Sequence, residues 1–407
     1  SVEYKQLIEK YPVLREVATR PDGNMYEFGR IKPLRPNHTL WIRADRLENL
    51  GLSVPQTTEE LFQVAEAFTK MDPDGNNQDD TIGIGLAHAT RPVLNNTFQA
   101  VDWYVADDGE LKRAWDQLKA VTAFMKRLYE AGLTEPDFVV DTNGESRNQL
   151  FITGKIGILG VNTGVAQAGY DLFSAFKQNN PDGKIMAIAL PESEFGRFSP
   201  VIDNPLQMTA AINANAADPE AVMAYVDFLV REETQMTMHY GIEGEHYRIN
   251  EAACPEVIDP EKNKLEQNWT SFYRMLVSES VLGDCAKFIN HMDPNDPIDK
   301  EFIELLHQSD EAYLSPERPM ANIAHVEHMP TLPAELQLTV TNTKKDIEDM
   351  MLRAVVSGNS YTVEQAMNDA KALWYGAGGQ NVEEWMAEWY KNNKDTAFLT
   401  EKMYDLR

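Results

Sequence analysis

Apolar positions recur along this chain at two spacings, and the changes between them mark out its elements. Near the start, Tyr4, Leu7, Ile8 and Tyr11 share one face of a 3.6-residue repeat, so the chain opens in a helix. Thr57 and Glu60 have capping-box spacing, and Leu61, Val64, Ala65, Phe68 and Met71 then predict an amphipathic helix that stops at Asp72-Pro73. Residues 81–87 switch to alternation, with Ile82, Ile84 and Leu86 on one face, and predict a strand. Ala114, Leu118, Val121, Met125 and Leu128 predict a second long helix closed by Gly132. Two continuous apolar runs, KIGILGV at 155–161 and KIMAIALP at 184–191, read as buried strands, the latter following a Pro-Asp-Gly turn. Asp218 as N-cap and Pro219 as first helical residue open a helix with Val222, Tyr225, Val226 and Leu229 inward. From about residue 296 the pattern is mainly helical, with a capping box at Thr362 and Gln365 and a glycine break at 376–379. Helices alternating with strands argue for α/β layers. No internal repeat or low-complexity linker marks a boundary, which suits lobes that exchange chain segments.

Composition narrows the class. The length of 407 residues suits two globular lobes, and 43% hydrophobic residues supply a packed core. With 37 Lys+Arg against 64 Asp+Glu, the net charge of −27 repels phosphates, so nucleic acid and anionic lipid are not expected partners. No apolar run approaches the ~18 residues that span a bilayer. The first 20 residues lack a basic and an apolar signal region, so no signal peptide is expected within them. Cys254 and Cys285 are the two cysteines; they suit a disulfide in a secreted protein or a pair of buried thiols.

Residues 72–83, DPDGNNQDDTIG, carry the strongest local chemistry. Asp72, Asp74, Asn76, Gln78 (through its carbonyl) and Asp80 place oxygens at positions 1, 3, 5, 7 and 9 of a loop, the alternation by which calcium is wrapped. Carboxylates this close repel one another unless a cation neutralises them. The loop is not a full EF-hand, because position 12 is Gly83 and a strand follows; a hydrated Asp-Pro-Asp-Gly turn is the alternative. A similar segment, DTNGE at 141–145, reads as a hydrated turn, and His325 with His328 as incidental surface histidines. There is no G-x-S-x-G, H-E-x-x-H or P-loop pattern. Glu243, between glycines in GIEGEHY, is the one candidate catalytic acid. Sugar sites stack pyranose faces on aromatic rings, and Trp41, Trp103, Tyr104 and Trp269 lie in or beside apparent loops where such a lining would arise. Trp385 and Trp389, four apart, read as docking a terminal helix. Core packing is the alternative for every tryptophan.

Several segments taken together resemble the extracellular solute-binding proteins of ABC importers, in the sugar-binding branch that includes Gram-positive lipoproteins. They are TLWIRADRLENLGLSVPQTTEELFQVAEAFTKMDPDGNNQDDTIGIGL, LYEAGLTEPDFV, ITGKIGI, NANAADPEAVMAYVDFLV, YGIEGEHY and WYGAGGQNVEEWMAEWYKN, and the likeness runs from about residue 5 to the end. The resemblance implies a two-lobed α/β periplasmic-binding-protein fold of the second type, closing on its ligand by a hinge. Chain crossings would fall near residues 30–42 and 190–207. The expected division is 1–38 for the remainder of the N-terminal lobe, 39–195 for the second lobe with the calcium loop, 196–295 for the return to the first lobe, and 296–407 for a helical part packing on the lobes and hinge. The family's signal peptide, lipid-anchored cysteine and first strands lie before the point where this chain starts, so the first lobe is expected to be incomplete. On this layout Arg43, His88, Arg91, Asn162, Thr163 and Asp203 join the aromatic residues as ligand-binding candidates, at strand ends and crossings. The family's loop ends Asp-Glu where this chain has Asp80-Thr81, which weakens the calcium expectation.

The function implied is capture of an oligosaccharide or related solute, without chemistry, and its delivery to permease subunits in the membrane. The protein is expected to act as a monomer at the cell surface, anchored in its full-length form, with calcium as a structural ion. The alternative is a secreted carbohydrate-active enzyme using Glu243 and a partner carboxylate.

Overall fold

The computed structural model describes residues 1–20, 22–163, 166–250, 253–267, 269–270, 289, 292–293 and 295–406. The chain divides into two compact units. Unit 1 comprises Ser1–Leu34, Asn204–Pro294 and Asp405–Arg407; unit 2 comprises Arg35–Asp203 and Asn295–Tyr404. Among the described residues, no helix is long and apolar enough to cross a membrane.

Unit 2 is built on a four-stranded sheet in the order Ile82–Gly85, Ile156–Asn162, His38–Arg43, Ile185–Ile188. The first pair is parallel and the other two are antiparallel. Side chains alternate across a strand, so Leu40 and Ile42 enter one core and Trp41 points to the opposite face. Leu40 and Ile42 pack with Leu61, Val64 and Phe68 of the helix Thr58–Lys70 and with Val121, Met125 and Leu128 of the helix Trp115–Glu130. Trp41 lies among Phe151, Phe173 and Phe302, with ring centroids 6.2, 6.3 and 6.5 Å away. Burial on both faces explains why the strands read as continuous apolar runs.

Tyr313 of the helix Pro297–Tyr313 ties this last helix to the sheet. Its hydroxyl accepts from the Leu40 amide at 3.0 Å and donates to the Ile188 carbonyl, and burial raises its pKa. A second core joins Trp374, Met351, Ala354, Ala370 and Val382 of the helices Ala334–Val356, Val363–Gly376 and Gly379–Asn393. Trp385 and Trp389 pack against it, half-buried.

The capping signals hold with one change. Thr362 and Gln365 make the full reciprocal box. Thr57 accepts from the Glu60 amide, but the Glu60 carboxylate turns back one residue further, to the Gln56 amide at 2.6 Å. The predicted strand 81–87 stops at Gly85, because the amides of Leu86 and Ala87 leave the ladder for the carboxylate of Glu135.

Unit 1 holds the antiparallel pair Glu27–Ile31 and Leu206–Ala211, with a register shift between Phe28 and Gly29. The Tyr4 hydroxyl sits at that shift, accepting from the Gly29 amide at 2.8 Å and donating to its carbonyl at 3.0 Å. In the helix Pro219–Val230, Asp218 caps the Ala221 amide at 2.9 Å as expected. Val226 and Leu229 are buried as predicted, whereas Val222 and Tyr225 lie on the exposed side. Cys254 is disulfide-bonded; Cys285 lies outside the described residues.

The Trp41 environment gives a direct test. Trp41→Ala empties an aromatic site that is 1% exposed and should destabilise unit 2 by about 3–5 kcal/mol in urea unfolding. A loss below about 1 kcal/mol would contradict this packing.

Candidate ligand-binding site

A cavity of about 590 Å³ lies within unit 2. Its position is set by the loop that follows the strand Ile82–Gly85, and that loop is held from two sides. The buried carboxylate of Glu135 accepts from the amides of Leu86 at 2.9 Å and Ala87 at 2.8 Å and from the Thr134 hydroxyl at 2.7 Å. From the other side, Arg147 Nη1 donates to the carbonyls of Ala87 at 3.0 Å and Gly160 at 2.9 Å. Burial lowers the Arg147 pKa to about 10, against the pull of Glu135 and Asp141. Thr90 completes the clamp by accepting from the Gly160 amide at 2.8 Å.

The next residue, His88, takes φ +52°, an uncommon left-handed conformation for a residue with a side chain. Gly144 makes room for it: a Cβ there would lie 2.7 Å from the His88 Cβ, and Gly144 itself has φ +76°. His88 and Arg91 thereby reach the cavity, joined by His38, Asn162, Arg113 and Trp115. Trp115 starts its helix and packs edge-on against Trp374, centroids 6.3 Å apart. The guanidinium of Arg113 lies 3.8 Å from the Trp374 ring centroid and 4.8 Å from that of Trp115, and burial lowers its pKa. Lys344, Ile347 and Met351 of the helix Ala334–Val356 form the far wall.

Of the residues singled out from the sequence, the cavity brings together His88, Arg91 and Asn162. Trp41 is elsewhere, in the aromatic core beneath the sheet. Arg43 is also withdrawn, its guanidinium bound to the Asp45 carboxylate at 2.5 Å and to the Gly154 carbonyl at 3.3 Å. Thr163 is buried, its hydroxyl 3.0 Å from that of Thr39. Asp203 is engaged by Arg35 at 2.9 Å and Asn37 at 2.6 Å. Trp103 and Tyr104 lie on the hairpin strand Trp103–Val105, opposite Arg113 and Lys112. Trp269 belongs to unit 1, exposed, with its ring N–H donating to the Glu266 carbonyl at 2.6 Å. His38, Arg113, Trp115 and Lys344 were not singled out. Only Arg113 and Trp115 carried a local signal, a cation two residues before a tryptophan at a strand-to-helix junction.

The 72–80 loop has part of a calcium loop's form. Asn77, at position 6, takes φ +60°, the sharp turn for which EF-hands use glycine. Asp72 accepts from the amides of Asn76 at 3.1 Å and Asn77 at 3.0 Å. Asp74 lies 3.7 Å from Arg46, and Asp80 3.7 Å from Lys155. Gln78 is tied in through its amide, which donates to Asn76 at 2.7 Å. Thr81 turns away, donating to the Phe68 carbonyl at 2.7 Å, and Gly83 supplies no carboxylate at position 12. The donor set thus fits a hard cation on one side only.

Among the described residues, the tightest His and carboxylate group is instead Glu245, His246 and Glu266 in unit 1. There His246 Nδ1 accepts from the Ile242 amide at 3.0 Å, leaving Nε2 to meet Glu266 at 3.0 Å, and Lys262 bonds Glu245 at 3.0 Å. Neighbouring groups satisfy that cluster without an ion. Glu243 is exposed on the adjoining turn.

A model of the family "Bacterial extracellular solute-binding protein" matches residues 24–236, more than half of the chain. The chain belongs to this family. Among curated relatives, the Polygalacturonan/rhamnogalacturonan-binding protein YtcQ of Bacillus subtilis is 28% identical over 247 residues, 56% of this solute-binding chain and 47% of YtcQ. The Fructooligosaccharide ABC transporter substrate-binding protein FusA of Streptococcus pneumoniae is 37% identical over 151 residues, 33% of this chain and 28% of FusA. This chain spans about half the length of YtcQ and less of FusA. An extracellular solute-binding protein from Bifidobacterium longum subsp. infantis shares the fold at TM-score 0.67 and 18% identity, over 96% of this chain and 80% of that one. The two-lobed α/β fold expected from the sequence is therefore the observed one.

The cavity histidines predict a pH dependence. Burial, reinforced by His88 and Arg147, lowers the His38 pKa to about 4, against roughly 6.5 in an unfolded chain. The unfolded chain then binds the proton more readily, so this contribution is intact above pH ~6.5 and is lost as pH falls toward 4. The slope is up to about 1.4 kcal/mol per pH unit. His38→Gln should flatten that part of the unfolding free energy measured from pH 7.5 to 4; an unchanged slope would contradict the burial of His38.

Proposed function

We propose that this solute-binding protein captures an oligosaccharide for an ABC importer and performs no chemistry on it. The observation that carries the reading is the unit 2 cavity itself. Its volume lies within the range of small-ligand sites, and its lining combines the edge of the largely buried Trp115 with Arg91, Arg113, His88 and Asn162. An aromatic face binds the apolar side of a pyranose, and directed polar groups fix its hydroxyls. The names of YtcQ and FusA, both saccharide-binding and one an importer's substrate-binding protein, support the same reading. Delivery to membrane permease subunits and residence outside the cell, at the membrane surface, follow from it. Glu243, exposed and in unit 1, lacks the buried setting that tunes a catalytic acid.

Calorimetric titration against pooled plant and microbial oligosaccharides tests the proposal. Heat saturating at about one ligand per chain is expected, and Trp115→Ala, once shown to be folded, should weaken it by about tenfold or more. Heat that continues with time would mean turnover and overturn the reading.

We further propose that Asp72, Asp74, Asn76, Gln78 and Asp80 hold a structural calcium ion of modest affinity, consistent with a solved FusA form described as an EF-hand mutant. The ion would add the positive charge this acidic turn lacks and pin the connection between the helix Thr58–Lys70 and the strand Ile82–Gly85. Added calcium should raise the melting point of chelated protein, by the equivalent of about 2.7 kcal/mol at a hundred times Kd, and Asp72→Ala should abolish the rise. No shift at millimolar calcium would remove the ion from the account.

A further inference from the structure

The charge of the cavity runs against the charge of the chain. Acidic residues outnumber basic ones 64 to 37 overall, yet the cavity is lined by Arg91, Arg113 and Lys344 against Asp102 and Glu348. These three cations are also poorly compensated. Elsewhere in unit 2, Arg35, Arg43, Arg127 and Arg197 each meet a carboxylate within 2.9 Å. Arg91 has no carboxylate or side-chain hydrogen-bond partner among the described residues, and its Nε is buried without one. Arg113 has one carboxylate at ion-pair distance, Asp102, at 3.9 Å and largely exposed, with Glu383 acting from further off, while its guanidinium plane is occupied by Trp374. Lys344 is exposed, with no ion pair among the described residues.

An uncompensated guanidinium charge in a partly desolvated cavity is costly. A neutral sugar hydroxyl offers Arg91 an acceptor but leaves its charge unbalanced. A carboxylate does both, and its two oxygens match the planar fork of arginine. The strongly negative protein would otherwise repel such a ligand, so a local excess of cations is the arrangement an acidic ligand requires.

We infer that the cavity selects saccharides that carry carboxylates, that is, oligosaccharides containing uronic acid residues, and that Arg91 is the selecting group, with Lys344 and Arg113 supplying the field. The inference rests on the proposed capture of an oligosaccharide in this cavity. Arg91 receives the carboxylate, Arg113 on its tryptophan bed orients a neighbouring ring, and Lys344 at the rim attracts the ligand.

The test uses the full chain and three acidic panels, oligosaccharide digests of pectate, alginate and hyaluronate, each beside its carboxyl-reduced counterpart, with kestose, maltotriose and stachyose as neutral controls. At least one acidic digest should bind roughly tenfold tighter than its reduced form, equivalent to about 1.4 kcal/mol. The advantage should shrink as salt rises. Arg91→Gln should erase it, and Lys344→Gln, at an exposed position, should reduce it and the salt dependence in a protein whose melting point is unchanged. Saturable binding of neutral or reduced sugars with no preference for the acid would overturn this inference and leave the binding function standing. Turnover of any probe would overturn both, as would silence towards every panel in folded protein. Discrimination that survives both substitutions would assign selection to other groups and overturn the roles of Arg91 and Lys344.

Discussion

The clamp on the Ala87 peptide is the constraint from which the cavity follows. Glu135 takes its N–H, together with that of Leu86, and Arg147 takes its C=O while also holding the Gly160 carbonyl. Two buried, oppositely charged side chains therefore fix one loop between two strands of the sheet. Each satisfies backbone groups that the end of the strand would leave unpaired, which is how a buried charge is stabilised. With the peptide fixed, His88 is forced into its left-handed conformation, Gly144 must be a glycine to admit it, and Arg91 is set one turn further along. Strain concentrated at one residue of an otherwise regular loop is common where function is located.

The core was readable from the sequence because its signals are local. Alternation from Ile82, the capping threonines, the Asp218-Pro219 start and the Gly132 stop each depend on neighbours a few residues away, and each appears in the structure. The site was only partly readable, because its chemistry is assembled from remote positions. His88 and Arg91 could be placed by the rule that strand ends carry ligand groups, since they follow a recognisable strand. Lys344 comes from a helix more than two hundred residues away, and nothing in its own segment marks it. Trp41 shows the reverse case. It stands beside a loop in sequence, but strand alternation turns it to the sheet's second face, where the phenylalanines of other elements enclose it.

The acidic loop and the cavity illustrate two ways in which a protein of net charge −27 handles local fields. At 72–80 the carboxylates accept from backbone amides and lean on Arg46 and Lys155, an arrangement that leaves negative charge over for a cation. In the cavity the imbalance has the opposite sign, with Arg91, Arg113 and Lys344 against Asp102 and Glu348. The Glu245, His246 and Glu266 cluster differs from both, because Lys262 and the backbone already balance it. The partners of each group, rather than the number of residues in each cluster, distinguish the two proposed sites from this balanced cluster.

The most direct test of the account is hydrogen–deuterium exchange with and without a saturating oligosaccharide. Protection is predicted to rise in residues 86–95 and along the 344–352 stretch of the far-wall helix, with the 241–250 turn of unit 1 unchanged. Protection centred on that turn, or its absence from 86–95 under saturation, would contradict the assignment of ligand binding to this cavity.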